Sequence, residues 1–161
     1  MQTEEVVERR MAEQIKLKVP DLAGWENVPV ETQSDGNFRL LNSPVMIDGL
    51  ARKDVVAVDK DGIFVLISRG GEVSIKFSFA TDVSMAAVPE GYWEDVAKRY
   101  GLSADSALRG IVVFSALLRE TSFKTLEATA EAMVSEFSRF SCSGWWYGNV
   151  YDVDGRPLQW W

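Results

Sequence analysis

The chain has 161 residues, of which 47% are hydrophobic, and a formal net charge of −7 from 24 acidic and 17 basic residues. This length fits one domain or two small modules that share a core. The chain contains no histidine and one cysteine, Cys142. These counts exclude histidine-activated nucleophiles, cysteine/histidine zinc sites and an intramolecular disulfide. We therefore expect a protein that works by binding, without enzymatic activity, cofactor or metal.

The distribution of charge and hydropathy bears on location and partners. Lysine and arginine are scattered in runs of at most two, which disfavours direct binding to a nucleic-acid backbone. No stretch approaches the ~18–20 apolar residues that span a bilayer. The start, MQTEEVVERRMAEQ, lacks the layout of a secretory signal. We expect a cytoplasmic protein that contacts no membrane and attracts a basic protein partner, and the pattern leaves its oligomeric state open.

The first half of the chain predicts a helix followed by strands. Residues 3–13 predict a short helix, for which Thr3 is a suitable N-cap. Residues 15–80 then alternate as short strands, and their turn signals are Asp35-Gly36, Asp61-Gly62 and Gly70-Gly71. This pattern predicts a small antiparallel β module, curled into a partial barrel, over residues 1–71.

The second half alternates between the two periods. Helical spacing covers residues 89–101 and 122–140, and a near-continuous apolar run at 109–120 predicts a buried strand between them. Residues 141–153 predict a last long strand that a hairpin at Asp154-Gly155 folds back. The order β-α-β-α-β predicts a ferredoxin-like α+β sandwich over residues 72–161, which could form one continuous domain with the β module.

Two D-x-D-G motifs, at residues 59–62 and 152–155, resemble part of a calcium loop. A calcium loop also needs an oxygen ligand at its first position, where this chain has Ala57 and Val150. We therefore interpret both motifs as hairpin turns, in which Asp-Gly supplies the positive φ angles.

Four of the six tryptophans lie in the last seventeen residues, beginning with SGWWYGNVYD. Strand alternation predicts that Trp146 packs on the helices and that Trp145 and Tyr147 lie on the opposite face. That opposite face either covers the β module or, if open, contacts a partner. The candidate partner-binding residues are Trp145, Tyr147, Tyr151, Asp152, Asp154 and Trp160.

One stretch, FRLLNSPVMIDGLARKDVVAVDKDGIFVLISRGGEVSIKF, carries a recognisable pattern. It resembles a widespread bacterial family of unknown function with the signature aromatic-x-L-x-N-x-P, then G-L-x-x-x-D-V-V, then G-H-S-T-x-R. The matching residues are Phe38, Leu40, Asn42, Pro44, Gly49, Leu50, Asp54, Val55, Val56, Gly71, Ser74 and Lys76. The histidine of the signature falls on Glu72 and its arginine on Lys76. The resemblance implies a β module followed by a ferredoxin-like module.

The chain is also similar in kind to two classes of acidic bacterial protein. Its last strand resembles the final strand of inhibitors of ribonuclease E, which has a Gly-Trp-Gly pattern. In size, acidity and aromatic content the chain resembles immunity proteins of contact-dependent growth inhibition systems. This likeness implies an immunity or inhibitor protein that occludes the active site of a basic toxin, expected to be a nuclease. The alternative is a regulatory domain that binds a small molecule or nucleotide between the modules.

Overall fold

A computed structural model describes residues 13–20, 22–80, 88–152 and 154–161. The helix predicted over residues 3–13 lies outside this range except for Glu13, where the first strand begins. The strands are β1 (Glu13–Lys18), β2 (Trp25–Thr32), β3 (Phe38–Leu40), β4 (Val55–Val58), β5 (Phe64–Ser68), β6 (Glu72–Phe79), β7 (Ser103–Leu108), β8 (Ile111–Leu117) and β9 (Cys142–Tyr147). The helices are α1 (Tyr92–Arg99) and α2 (Phe123–Phe137), with 3-10 turns at Leu118–Glu120 and Ser138–Phe140.

The first five strands form the predicted antiparallel β module. They lie in the order β1-β2-β3-β4-β5, and every neighbouring pair is antiparallel. The sheet curls so that its two outer strands, β1 and β5, approach each other without closing a barrel. At this point the Lys18 amide donates to the Gly62 carbonyl at 2.9 Å. Its interior is a separate apolar cluster that contains Leu17, Val28, Val30, Leu40, Ile47, Leu50 and Val56.

The second module is an antiparallel sheet in the order β7-β8-β6-β9. With α1 between β6 and β7, and α2 between β8 and β9, this order gives the ferredoxin-like βαββαβ arrangement. The sequence-based order was one strand short, because β7 reads SADSAL and lacks the apolar alternation of a typical strand. The predicted α+β class with a β module and a ferredoxin-like module is confirmed.

The helices cover one face of the second sheet. Val73, Ile75, Phe77 and Phe79 alternate along β6 towards them and share one apolar cluster with α2. Phe137 of α2 packs against Phe77 with ring centroids 5.3 Å apart. No helix among the described residues is long and apolar enough to cross a membrane.

The other face of this sheet is covered by residues 41–54, which connect β3 to β4 in the first module. This connection meets the Gly70-Gly71 link between the modules, where a Cβ on Gly70 would lie 2.6 Å from the carbonyl carbon of Lys53. The link therefore packs against the backbone of this connection, which leaves no room for a side chain at Gly70.

We expect Gly70→Ala to destabilise the protein by about 1–3 kcal/mol, because the added methyl group overlaps the Lys53 backbone. Gly24→Ala is the matched control, since a Cβ on Gly24 meets nothing within 4 Å. Urea unfolding followed by circular dichroism measures both. Equal stability of the two variants would contradict the close packing of the link.

Candidate functional site

The paired tryptophans of β9 lie on opposite faces of the sheet, but in the reverse of the predicted sense. Trp145 pairs with Phe77 on the helix side, whereas Trp146 pairs with Lys76 on the side of the β module. The Trp145 indole donates to Glu131 of α2 at 3.0 Å. The expectation that Trp146 packs on the helices was therefore wrong.

A bulge in β9 explains the reversal. Ser78 pairs with Gly144 but Phe79 pairs with Cys142, so Ser143 is an extra residue in the strand. Cys142 and Trp145 consequently both reach the helix side, although simple alternation places them on opposite faces.

The predicted long strand ends early, at Tyr147. Beyond this point the side chain of Asn149, instead of a strand backbone, makes the hydrogen bonds to β6. The Asn149 amide oxygen accepts from the Ser74 amide at 3.0 Å, and its amide nitrogen donates to the Glu72 carbonyl at 2.8 Å. The buried backbone groups of β6 therefore keep their hydrogen bonds after β9 has ended.

The aromatic residues near the end of the chain form a continuous series of ring contacts. Their neighbouring centroids lie 5.0–5.8 Å apart in the order Trp145, Tyr147, Phe123, Trp161, Trp160. Tyr151 adds a tilted contact to Tyr147 at 6.4 Å. We call Trp145, Tyr147, Tyr151, Trp160 and Trp161 the aromatic patch. Tyr151 and Trp161 are exposed, and the other three members are partly or fully buried beneath them.

The buried members hold the exposed members in place. Tyr147 is buried, and its hydroxyl donates to the Phe123 carbonyl at 3.4 Å. Burial, with the nearby charge of Glu127, raises the pKa of Tyr147 to about 12, so its phenol remains neutral at physiological pH. The Trp160 indole donates to the Asn149 carbonyl at 2.8 Å, and the Arg69 guanidinium lies 5.6 Å from its ring centroid.

The two aspartates of the final hairpin have different roles. Asp152 Oδ1 accepts from the amides of Asp154 and Arg156, both at 2.9 Å, so Asp152 shapes the turn. Asp59 does the same in the first D-x-D-G motif, accepting from Asp61 and Ile63 at 2.8 and 3.0 Å. Both motifs are therefore the hairpin turns that the sequence predicts. Asp154, like Asp61, is exposed beside such a turn.

A layer of buried polar residues from both modules lies around residues 41–54 and the sheet that they cover. We call it the polar layer; its buried members are Glu26, Ser43, Asp54, Glu72, Ser74, Lys76, Asp105, Ser115 and Asn149. Lys76 has no exposed surface, and its ammonium group donates to the carbonyls of Val45 and Ile47 at 2.9 and 3.2 Å. It also pairs with Asp48 at 2.8 Å, so one cation fastens three points of the connection.

Carboxylates of the polar layer hold the rest of the connection. Glu26 accepts from the amides of Val45 and Met46 at 2.6 and 2.7 Å. The Glu72 carboxylate binds Arg52 through two guanidinium nitrogens. These carboxylates hold backbone and arginine groups in place.

Asp54 and Asp105 are two further buried carboxylates of the layer. Asp54 accepts from the amides of Ala51 and Gly70 at 3.0 and 2.9 Å, and Asp105 accepts from the Ser43 amide at 2.8 Å. The second carboxylate oxygen of Asp105 is buried without a hydrogen-bond partner. Burial raises the pKa of both carboxyl groups, against the lowering effect of these hydrogen bonds.

A comparison with protein-family models matches more than half of the chain. Residues 26–140 match the family described as Domain of unknown function (DUF4265). The chain belongs to this family. The match contains every member of the polar layer except Asn149, whereas the aromatic patch lies after residue 140. The DUF4265 match thus covers the joint between the modules and not the candidate partner surface.

A solved structure is similar in fold. A hypothetical protein from Neisseria gonorrhoeae superposes with a TM-score of 0.54 at 15% sequence identity, over 83% of this chain and 96% of that chain. At this identity the likeness supports the fold alone. No curated protein matches the chain.

Two surface features were missed by the sequence reasoning. Trp25 is exposed in a groove of about 460 Å³, where its ring lies against Gly62 and Lys16 and Lys60 lie nearby. At strand β5, the apolar side chains of Ile63, Val65 and Ile67 are exposed. Strand alternation was the only sequence signal for this surface, and it could not show which face is exposed, because both faces of β5 are apolar. Among the described residues, no group of three or more Cys, Asp or Glu side chains is placed to hold a metal ion.

Asp105 gives a pH prediction. Its folded pKa is raised above the unfolded value, so the folded state binds the proton more tightly and stability falls as pH rises from about 4 towards the folded pKa. Asp105→Asn removes this titration. We expect the free energy of unfolding of the variant, relative to the native protein, to increase between pH 4 and pH 7 in chemical denaturation. Parallel pH curves for the two proteins would show that Asp105 does not contribute.

Proposed function

We propose that this protein is an immunity or inhibitor protein that binds a basic protein toxin and occludes its active site. The expected partner is a nuclease of a bacterial toxin–immunity system, such as contact-dependent growth inhibition, and the expected place of action is the cytoplasm. The protein acts without catalysis or a cofactor, and it contacts no nucleic acid directly.

The observation that carries the proposal is the aromatic patch with its acidic border. Tyr151 and Trp161 are exposed above a buried aromatic support, which is the arrangement of interface residues that dominate binding energy. Glu127 and Glu131 of α2 are exposed beside Tyr147 and Trp145. An aromatic centre with a carboxylate border suits a partner whose binding surface is basic.

The mechanism follows from the rigidity of this surface. Trp145 and Trp160 are fixed by indole hydrogen bonds, so the surface loses little side-chain freedom on binding. A nuclease cleft is lined with cations that neutralise phosphate groups. The acidic border competes for the same cations, and its charge also raises the rate of association through electrostatic steering.

Charge reversal at Asp154 tests the surface directly. We expect Asp154→Lys to weaken the complex by about three- to tenfold and to reduce its salt dependence, because Asp154 is exposed on the hairpin that follows Tyr151. Asp61→Lys is the matched control, since it makes the same charge change at the same position of the other D-x-D-G turn. Asp152 is unsuitable for this test because its carboxylate shapes the turn.

The partner to test is any basic protein that proves to be encoded directly before this chain, and calorimetry at low and high salt measures the affinity. Cells that express this toxin should survive when the native chain is co-expressed. Failure of rescue, together with no complex at any salt concentration, would overturn the proposal. Equal weakening by the two charge reversals would instead assign the effect to net charge and not to the aromatic patch.

A second candidate function has one specific observation in its favour. A groove of about 360 Å³ lies where Gly70 and Gly71 join the modules, between Leu117 and the two final tryptophans, with Arg119 beside it. Its aromatic walls and the cation of Arg119 suit a planar anionic small molecule, such as a nucleotide. This geometry supports the alternative of a ligand-binding regulatory domain.

A thermal-shift measurement separates this alternative from the first proposal. A ligand of the groove raises Tm by mass action, and we expect Arg119→Ala to abolish the shift because Arg119 would hold the anion. Arg39→Ala removes an exposed arginine elsewhere and should leave the shift unchanged. The probes are nucleoside monophosphates and aromatic carboxylates. The alternative fails if none of them stabilises the native protein.

A further inference from the structure

Strand β5 is an edge of the first sheet with an apolar outer face. Among the described residues it pairs with β4 alone. Ile63, Val65 and Ile67 are 51%, 62% and 52% exposed, and Ala57 lies opposite Val65 on β4. Edge strands of soluble proteins usually carry charges that prevent another strand from pairing with them. The stretch from Gly62 to Ser68 carries none.

The sequence of this edge is nearly symmetric about its centre. Residues 63–67 read Ile-Phe-Val-Leu-Ile, so both directions present the pattern Ile, large apolar, Val, large apolar, Ile. In an antiparallel pair of identical strands centred on Val65, Ile63 of each copy faces Ile67 of the other and Val65 faces itself. All three outer positions then form apolar cross-strand pairs, which are the stabilising units of a sheet.

We propose that β5 is a self-association site, at which two copies of this chain pair antiparallel about a two-fold axis through Val65. A two-fold contact uses the same surface on both copies and therefore requires a self-complementary pattern. The pairing joins the two five-stranded sheets of the β modules into one continuous sheet. It is independent of the aromatic patch.

The paired stretch is bounded by β1 at its start. The Gly62 carbonyl accepts from the Lys18 amide at 2.9 Å, so the open edge runs from Ile63 to Ser68. This stretch carries no charge, and Arg69 beyond it is held by Gly49, Asp54 and the Trp160 ring. Within the paired stretch no like charges lie opposite one another, although each copy carries a net charge of −7.

The neighbouring register is less favourable. Pairing about Leu66 places the exposed Ile63 opposite Arg69, so only the pairs between Val65 and Ile67 remain apolar on the outer face. The contact is short, and strand pairing over five residues buries less than the ~1,200 Å² of a standard interface. We therefore expect a dimer with a dissociation constant on the order of micromolar.

A charge-swap experiment at Val65 tests the axis itself. Sedimentation velocity of the full chain from about 1 μM to about 500 μM should show a dimer that forms with concentration. Val65→Lys and Val65→Asp each place two like charges opposite one another, and each should raise the dissociation constant at least tenfold. An equimolar mixture of the two variants places lysine opposite aspartate and should restore the dimer.

The controls separate loss of pairing from loss of folding. Leu22→Lys introduces the same charge at an apolar residue outside β5 that is 58% exposed, and it should leave the dimer intact. All variants should retain the native circular dichroism spectrum and Tm, and Val65→Lys should still inhibit the partner toxin. A native protein that stays monomeric, a Val65→Lys protein that still dimerises, or a mixture that stays monomeric would overturn the proposal.

Discussion

The structure depends on the burial of the Lys76 ammonium group between the modules. A cation without exposed surface requires acceptors, and this one obtains them from the Val45 and Ile47 carbonyls and from Asp48. Residues 41–54 must therefore lie across β6, and Glu26, Asp54 and Asp105 fix other points of the same connection by accepting its backbone amides. The apolar clusters stabilise each module, and the polar layer fixes their relative position.

This division of labour explains why the functional candidates lie at the surface. Each described carboxylate of the polar layer, and its one lysine, makes at least one structural hydrogen bond, so the layer acts as a joint. The aromatic patch and β5, in contrast, expose apolar side chains that the described residues leave uncovered. They lie on different modules.

Most strands and helices could be predicted from the sequence, because the alternating apolar residues of β6 and the apolar stripe of α2 each face a single apolar cluster. Prediction failed at β7, where the buried Asp105 and the serines replace the usual apolar residues. It also misplaced Trp145 and Trp146, since a bulge of one residue reverses the faces of a strand without changing its composition. Residue types along β6 likewise could not show that Glu72, Ser74 and Lys76 are buried, because the partners that satisfy them are distant in sequence.

The hydrogen bonds of the polar layer also set the order in which the chain can become native. Ser43 and Asp105 are 62 residues apart, and Ser74 and Asn149 are 75 residues apart. Such contacts close long loops, and the entropic cost of closure rises with loop length. We expect the joint between the modules to form late, because contacts between residues distant in sequence slow folding. During synthesis, the N-terminal β module emerges with Glu26 and residues 41–54 still lacking the sheet on which they will rest.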